Sequence, residues 1–228
     1  MTQAPRPVST GKRIQELDVF RGFAILGIFM VNILVMNVSF AFRGEWEAEQ
    51  TGWLQSASFF VLETLFYSKF FVIFSLLFGM GVALQMERMR KNNTYSAVFF
   101  ARRFTSLFIL GAFHILFIWS GDILHLYGML GFVLMLFFKA NARVLLWSSV
   151  IIFFFPFSFY LFEEFVTWIG LDYQTPLSAF SRAELLELKH NGSYYSGIIL
   201  RTKEYLYAMG LMYAGIGPVA LSMMLFGG

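Results

Sequence analysis

The sequence predicts an all-α fold: a polytopic helical membrane protein with about six transmembrane helices, read at roughly 20 apolar residues per crossing. Three observations carry that expectation. Of 228 residues, 58% are hydrophobic and 14% charged, against roughly 45–50% and about 25% in ordinary soluble domains. The mean hydropathy is +0.66. Thirty residues are Phe, more than one soluble core of this size can hide, so lipid must solvate many of them. There is no cysteine, which excludes disulfides and thiol catalysis. The pI near 9.2 reflects basic loops and gives no case for nucleic-acid binding.

The elements follow in order. The polar start MTQAPRPVSTGKR leads into a long apolar run without a small-residue cleavage site close behind. That pattern predicts a retained first span, Val19 to Phe40, after a cytoplasmic tail at residues 1–18. A polar loop with Arg43, Glu45, Glu47 and Glu49 follows. The second apolar block, Phe59 to Leu84, is interrupted by Glu63 and Lys69 and reads as a short interfacial helix joined to a spanning one. Arg102 and Arg103 open a third span to Trp119; the turn Ser120-Gly121-Asp122 sends the chain back as a fourth span to Phe138. Both arms are short for a crossing. The fifth span, Val144 to Phe162, contains Pro156, which should kink it. A mixed-charge stretch from Glu163 to Glu204 holds an amphipathic helix near Arg182 to His190, with Ser181 as its N-cap. A sixth apolar block begins near Tyr205, and the sequence stops inside it at GIGPVALSMMLFGG, which predicts a piece of a larger bundle. The organisation is therefore a tail (1–18), a four-span core (19–138), and two further spans with an outer amphipathic loop (139–228).

Positive charge sets the orientation. Lys12, Arg13 and Arg21 mark the start of span one. Arg88, Arg90, Lys91, Arg102 and Arg103 lie between spans two and three, and Lys139 and Arg143 between four and five. The expected protein is multi-pass in the cell membrane with a cytoplasmic N-terminus.

Within that frame a few polar groups stand out. In LDVFRGFAILGIFMVN, Arg21 and Asn32 lie about 20° apart around a helix, and Asp18 falls within an arc of about 60° with them. Such a stripe is costly in a membrane unless it faces protein or water. An interfacial ion pair, with Arg21 reaching lipid phosphates, would account for Asp18 and Arg21 equally well. Asn32, His114, Asp122 and His125 all map to the outer half of the bundle. Asp122 sits at the outer turn and His125 one turn into the descending span, three residues apart, where a carboxylate can fix an imidazole tautomer and raise its basicity. A histidine with a carboxylate orienter is the minimum for general-base work on an alcohol or amine, and also a common way to satisfy a buried histidine. Lys69 reads as a counter-ion for Glu63 or a substrate contact. His190 reads as a solvated residue. Ser75 and Gly79, followed by Gly81, read as a small-residue seam for close helix packing. The Arg102/Arg103 pair reads as a topology determinant, or as an attractor for an anionic cytoplasmic ligand such as a coenzyme A phosphate. No ligand spacing for a metal appears on one helix.

Three segments carry a resemblance. RIQELDVFRGFAILGIFMVN, KFFVIFSLLFGMGVALQMER and RRFTSLFILGAFHILFIWSGDILHLYGMLGFVL resemble, in that order, the YeiB-like bacterial membrane proteins, over most of residues 13 to 138. Residues 139 to 204 carry no motif of that family. The resemblance implies a bacterial inner-membrane protein about half as long again, with further spans and a C-terminal domain. The YeiB-like family is more distantly similar to transmembrane acyltransferases, including the acyltransferase-3 sugar acylators and heparan-alpha-glucosaminide N-acetyltransferase. The shared element is LDxxRG with a polar residue fourteen positions after the aspartate, here Asp18, Arg21, Gly22 and Asn32. Acyltransferase-3 members carry a histidine at that last position; this sequence has asparagine, as the glucosaminide enzyme does. Asparagine accepts no proton, so Asn32 is left to orient a substrate or an oxyanion. The glucosaminide enzyme also has a histidine in the loop after span one, and residues 40 to 58 here contain none.

These readings give one leading expectation: transfer of an acyl group from a thioester donor, with acyl-coenzyme A allowed as cofactor, to an outward-facing hydroxyl or amine. His114 is the base, Asp122 with His125 the orienting pair, Asp18, Arg21, Asn32 and Lys69 the substrate contacts, and Arg102 and Arg103 the donor contacts. A transporter for a small polar or anionic solute, or a catalytically silent scaffold, remains open on the same residues. The expected partners are the bilayer and a small-molecule substrate, with no nucleic acid and no metal; oligomeric state is not legible.

Overall fold

The computed structural model describes residues 14–37, 46, 48–49, 51–66, 69–169, 187 and 193–228, and every regular element among them is helical. Helix α1 is Gln15–Asn37, with Glu16 and Asp18 in its first turn, where the positive end of the helix dipole favours them. Helix α2, Trp53–Val61, buries none of its residues and runs into a π-helical turn, Leu62–Phe66. Helix α3 is Lys69–Lys91. Helix α4, Ala97–Phe117, starts at Ser96, whose side chain accepts from the Phe99 N–H. Helix α5 is Leu124–Leu136. Helix α6, Ala142–Phe153, is capped in the same way by Asn141, which accepts from Val144 N at 3.0 Å. Helix α7 is Phe155–Trp168, α8 Tyr194–Gly210, followed by a π-helical segment, Leu211–Ile216, and then α9, Gly217–Phe226.

Among the described residues four stretches are long and apolar enough to cross a membrane: Trp53–Lys91, Ala97–Phe117, Ala142–Phe162 and Ala208–Phe226. Helix α5 has 13 residues, a length of about 20 Å against a hydrocarbon core of about 30 Å. A count of six crossings would need α1 and this short helix as well. In the second apolar block the helix changes to a π turn at Leu62–Phe66, which contains Glu63, and α3 begins at Lys69. The Pro156 kink appears as a break: Phe154 is a turn residue and α7 restarts at Phe155. Proline is thereby placed in the first turn of a new helix, where its missing N–H removes no bond. The amphipathic helix expected near Arg182 to His190, its Ser181 cap, Lys12, Arg13, Arg43, Glu45 and Glu47 lie outside the described residues, Glu187 excepted.

The core forms around α9, which packs on α3, α5 and α6 and buries Ala220, Leu221, Ser222, Met224 and Leu225. Gly79 permits this approach, because a side chain there would strike the Met224 backbone carbonyl. The other small residue of that seam, Ser75, donates to Phe71 O at 2.7 Å and meets the Tyr127 hydroxyl. Helices α6 and α9 are clasped by a reciprocal pair. Ser149 Oγ donates to Ser222 O at 2.9 Å and Ser222 Oγ to Ser149 O at 2.9 Å. Where lipid is as apolar as leucine, such interhelical bonds and close packing replace the hydrophobic drive between helices. Phe78, Phe100, Phe104, Tyr127 and Phe138 fill the space between α3, α4 and α5, with tilted and edge-on rings. Outward, α1 exposes Val19, Phe20, Phe23, Leu26 and Phe29, the apolar face a bilayer would cover.

Candidate functional site

The α4–α5 hairpin builds a polar cluster at its closed end. Two glycines bring the helices together. A side chain on Gly128 would sit 2.6 Å from Phe108 N and 2.8 Å from Phe104 O, and one on Gly111 would strike the backbone N of His125. The tight turn then lays Asp122 between two imidazoles. Its Oδ1 accepts from Leu124 N at 2.7 Å and from His125 N at 3.4 Å, so the carboxylate ties down the first N–H groups of α5. Its Oδ2 lies 3.3 Å from Nδ1 of His114 on α4, and its Oδ1 lies 3.8 Å from Nδ1 of His125. Neither ring is aligned as a full hydrogen bond, and among the described residues neither Nδ1 has another acceptor.

Burial separates the two histidines. The His114 side chain is 29% exposed, Asp122 7% and His125 3%. Nε2 of His125 is already taken by the Tyr205 hydroxyl at 3.1 Å, and Tyr205 is bonded to the Tyr213 hydroxyl at 2.7 Å. The sequence spacing pairs Asp122 with His125; the structure puts the carboxylate closer to His114 and leaves His114 the accessible imidazole.

Helix α8 closes the cluster from the side. Ser120 Oγ donates to Glu204 Oε2 at 2.8 Å, and both residues are buried. Arg201 Nε donates to Leu116 O at 2.8 Å, and the Tyr194 hydroxyl to Phe117 O at 3.4 Å, satisfying carbonyls at the C-terminus of α4. Ser120, Arg201, Glu204, Tyr205 and Tyr213 are absent from the sequence-based candidates. Local signals existed: Arg201 and Glu204 sit three apart, ahead of an apolar segment, and Tyr213 falls in a π-helical stretch, a geometry common at functional sites.

Beside the polar stripe, part of α1 packs on protein. Ala24 and Gly27 are buried against α3, with the Phe70 ring occupying the space a Gly27 side chain would need. Arg21 Nη2 occupies the space beside Gly81, and Nη1 meets Asp18 Oδ1 at 3.3 Å. That ion pair is half open to solvent, with 36% and 52% of the two side chains exposed, where such pairs contribute about 0–1 kcal/mol. Asn32 is partly buried. Arg103 Nη1 donates to Gln85 Oε1 at 2.7 Å, its guanidinium stacks 5.4 Å from the Phe78 ring, and it lies within electrostatic reach of Arg21. Arg102 and Lys69 are exposed. Arg90 also has a structural use, donating from Nη2 to Phe138 O at 2.7 Å beyond the end of α5.

The candidates therefore fall into two groups. His114, Asp122 and His125 come together at the closed end of the hairpin, and Asp18, Arg21 and Arg103 gather where α1, α3 and α4 meet. His114 and Arg103 are separated by eleven residues of α4, about 16 Å along its axis. Among the described residues no group of three or more histidines and carboxylates is placed to hold a metal ion.

Comparison with known proteins extends the resemblance carried by the three segments. The chain is 35% identical over 167 residues to the uncharacterized protein YxaH of Bacillus subtilis (strain 168), which covers 70% of this chain and 42% of that one. It is 34% identical over 124 residues to the uncharacterized protein YeiB of Escherichia coli (strain K12), covering 54% and 30%. The chain is similar to YxaH and YeiB. An uncharacterized 39.9 kDa protein in the amylase 3' region of Bacillus acidopullulyticus is also similar, with 35% identity over 147 residues, covering 64% and 40%. The chain thus spans less than half the length of the curated relatives it matches. No family model matches it, and no solved structure gives a significant match.

Proposed function

We propose that the chain is the membrane core of a YeiB-like, acyltransferase-like protein of the cell membrane. In this reading it has six crossings and a cytoplasmic N-terminus. The reaction is transfer of an acyl group from a thioester donor to an outward-facing hydroxyl or amine. One observation supports the chemistry above all: one buried carboxylate lies between two imidazoles, and one of those imidazoles is partly open to solvent. With Nδ1 of His114 turned to Asp122, its Nε2 is the free basic nitrogen. That nitrogen takes the proton of the acceptor as its oxygen or nitrogen attacks the thioester carbonyl. The new C–O or C–N bond forms, the C–S bond breaks, and the proton passes to the leaving thiolate. His125 does not serve as this base, because it is enclosed and its Nε2 is occupied by Tyr205.

Arg21 and Arg103, with Arg102 nearby, supply positive charge for an anionic donor such as acyl-coenzyme A. They sit about 16 Å along α4 from the base, a separation suited to a donor with charged and reactive ends far apart. Asn32 orients the acceptor or the reacting carbonyl, and Lys69 and Asp18 complete the substrate contacts. Labelled acetyl-coenzyme A with the purified protein tests this reading. Thioester consumption that disappears in His114→Ala supports it, and consumption that survives the change rejects the assigned base.

A second reading draws on the continuous path His125–Tyr205–Tyr213, since polar chains inside membrane bundles also serve proton-coupled permeases. Solute uptake into vesicles without thioester consumption would favour it.

A further inference from the structure

We infer that Tyr205, backed by Tyr213, is a positioning residue that fixes the tautomer of His125 and so sets which ring nitrogen carries the proton beside Asp122. Tyr205 lies 80 residues from His125 in the chain, and nothing in the local sequence of the hairpin announces it. The inference follows from asking where each proton of the cluster goes.

Asp122 Oδ1 lies 3.8 Å from His125 Nδ1. A carboxylate beside a ring nitrogen favours the proton on that nitrogen, because a lone pair there would face a negative charge. His125 Nε2 then carries the lone pair and must accept, and among the described residues the group bonded to it is the Tyr205 hydroxyl at 3.1 Å. Tyr205 donates its single proton to that nitrogen, so its oxygen is left to accept from Tyr213 at 2.7 Å. Tyr213 also lies 3.6 Å from Met129 Sδ, but a thioether is the weaker acceptor, so the Tyr213 proton goes to Tyr205. The donors run one way, Tyr213 to Tyr205 to His125 Nε2, and the Nδ1 proton of His125 points toward the carboxylate across 3.8 Å without a full hydrogen bond. On the far side of the carboxylate, His114 presents Nδ1 at 3.3 Å, so the same rule puts its proton there too and leaves Nε2 free.

Two further polar groups near the cluster bond elsewhere, although Arg201 Nη2 has no partner among the described residues. Glu204 accepts from Ser120, and Arg201 donates to Leu116 O, so neither competes for His125. The rings reinforce the arrangement, with Tyr205 and Tyr213 standing edge-on to His125 at 5.2 Å and 6.1 Å between centroids. The consequence for catalysis rests on reading His114 as the base. The tautomer itself does not, since it follows from the charge of Asp122 beside Nδ1 and the Tyr205 hydroxyl at Nε2.

The test needs no substrate. The sequence has three histidines, so nitrogen NMR of histidine-labelled protein in micelles gives three rings, assigned through His114→Gln and His190→Gln. Above the imidazole titration range, His125 is expected to show a protonated Nδ1 and an unprotonated Nε2, as is His114. In Tyr205→Phe the two His125 resonances should move toward each other as the second tautomer becomes populated. Tyr194→Phe, which removes a different contact between α8 and α4, should leave them in place. A protonated Nε2 on His125 in the unmodified protein would overturn the inference. So would unchanged His125 resonances in Tyr205→Phe, or the same movement in Tyr194→Phe. If Tyr205→Phe does not fold, Tyr213→Phe is read instead: a smaller shift in the same direction supports the inference, and none overturns it. Because the donor is absent, these outcomes are independent of whether the protein transfers acyl groups.

Discussion

Gly111→Ala is the sharpest test of how the cluster is assembled. An added methyl at this position would strike the backbone N of His125 and come within 2.7 Å of its Cα and 2.9 Å of Asp122 Oδ1. The first two are backbone atoms of the facing helix, so no side chain can swing away to relieve the contact. Alanine in place of glycine within a helix contributes about 1 kcal/mol of stability through propensity. Forcing a methyl into a packed contact costs roughly 1–3 kcal/mol. The clash should win by up to about 2 kcal/mol, lowering Tm by several degrees at about 2–4 °C per kcal/mol for a protein of this size. Gly22→Ala supplies the control, since nothing lies within 4 Å of its added methyl; there propensity acts alone and Tm should hold or rise. Thermal unfolding of both variants in a mild detergent reads the difference. A Gly111→Ala protein as stable as Gly22→Ala would refute the close approach of α5 to α4 at this point, and with it the placement of Asp122.

Other expectations follow from the same contacts. Asn caps a helix about as well as Asp, so Asp122→Asn should leave Tm nearly unchanged. It should nonetheless reduce acyl transfer by about 10²-fold or more, because the orienting charge is gone; steady-state rates beside a melting curve separate the two effects. Gly81→Leu fills the space that Arg21 Nη2 occupies, and should raise KM for the thioester with little change in kcat, the signature of lost uniform binding. Ser149→Ala, Ser222→Ala and the double variant form a cycle across the α6–α9 clasp. A coupling of about 0.6 kcal/mol, and no more than about 1.7, is expected from equilibrium unfolding.

The fold was legible where periodicity and punctuation are local. The hairpin turn at Ser120-Gly121-Asp122, the change of helix near Glu63 and the break beside Pro156 each announce themselves within a few residues. Span lengths were less legible. The fourth apolar run reads as reaching about Phe138; α5 ends at Leu136, and residues 137–139 form turns closed by Phe137 N to Leu134 O and Phe138 N to Met135 O. The site divides in the same way. Asp122, in the turn before α5, and His125, in the first turn of that helix, were visible from their spacing of three, and His114 follows from the tight turn. Tyr205, Tyr213, Glu204 and Arg201 reach the hairpin across about 80 residues of chain, and no local pattern encodes a contact of that separation.

The central claim is that His114, and not His125, is the proton acceptor, with the enclosed histidine serving only to hold the carboxylate. Label transfer from acyl-coenzyme A in proteoliposomes, compared between His114→Ala and His125→Ala, tests it most directly. The account predicts transfer abolished by the first change and only reduced by the second. Abolition in His125→Ala with activity retained in His114→Ala would contradict it.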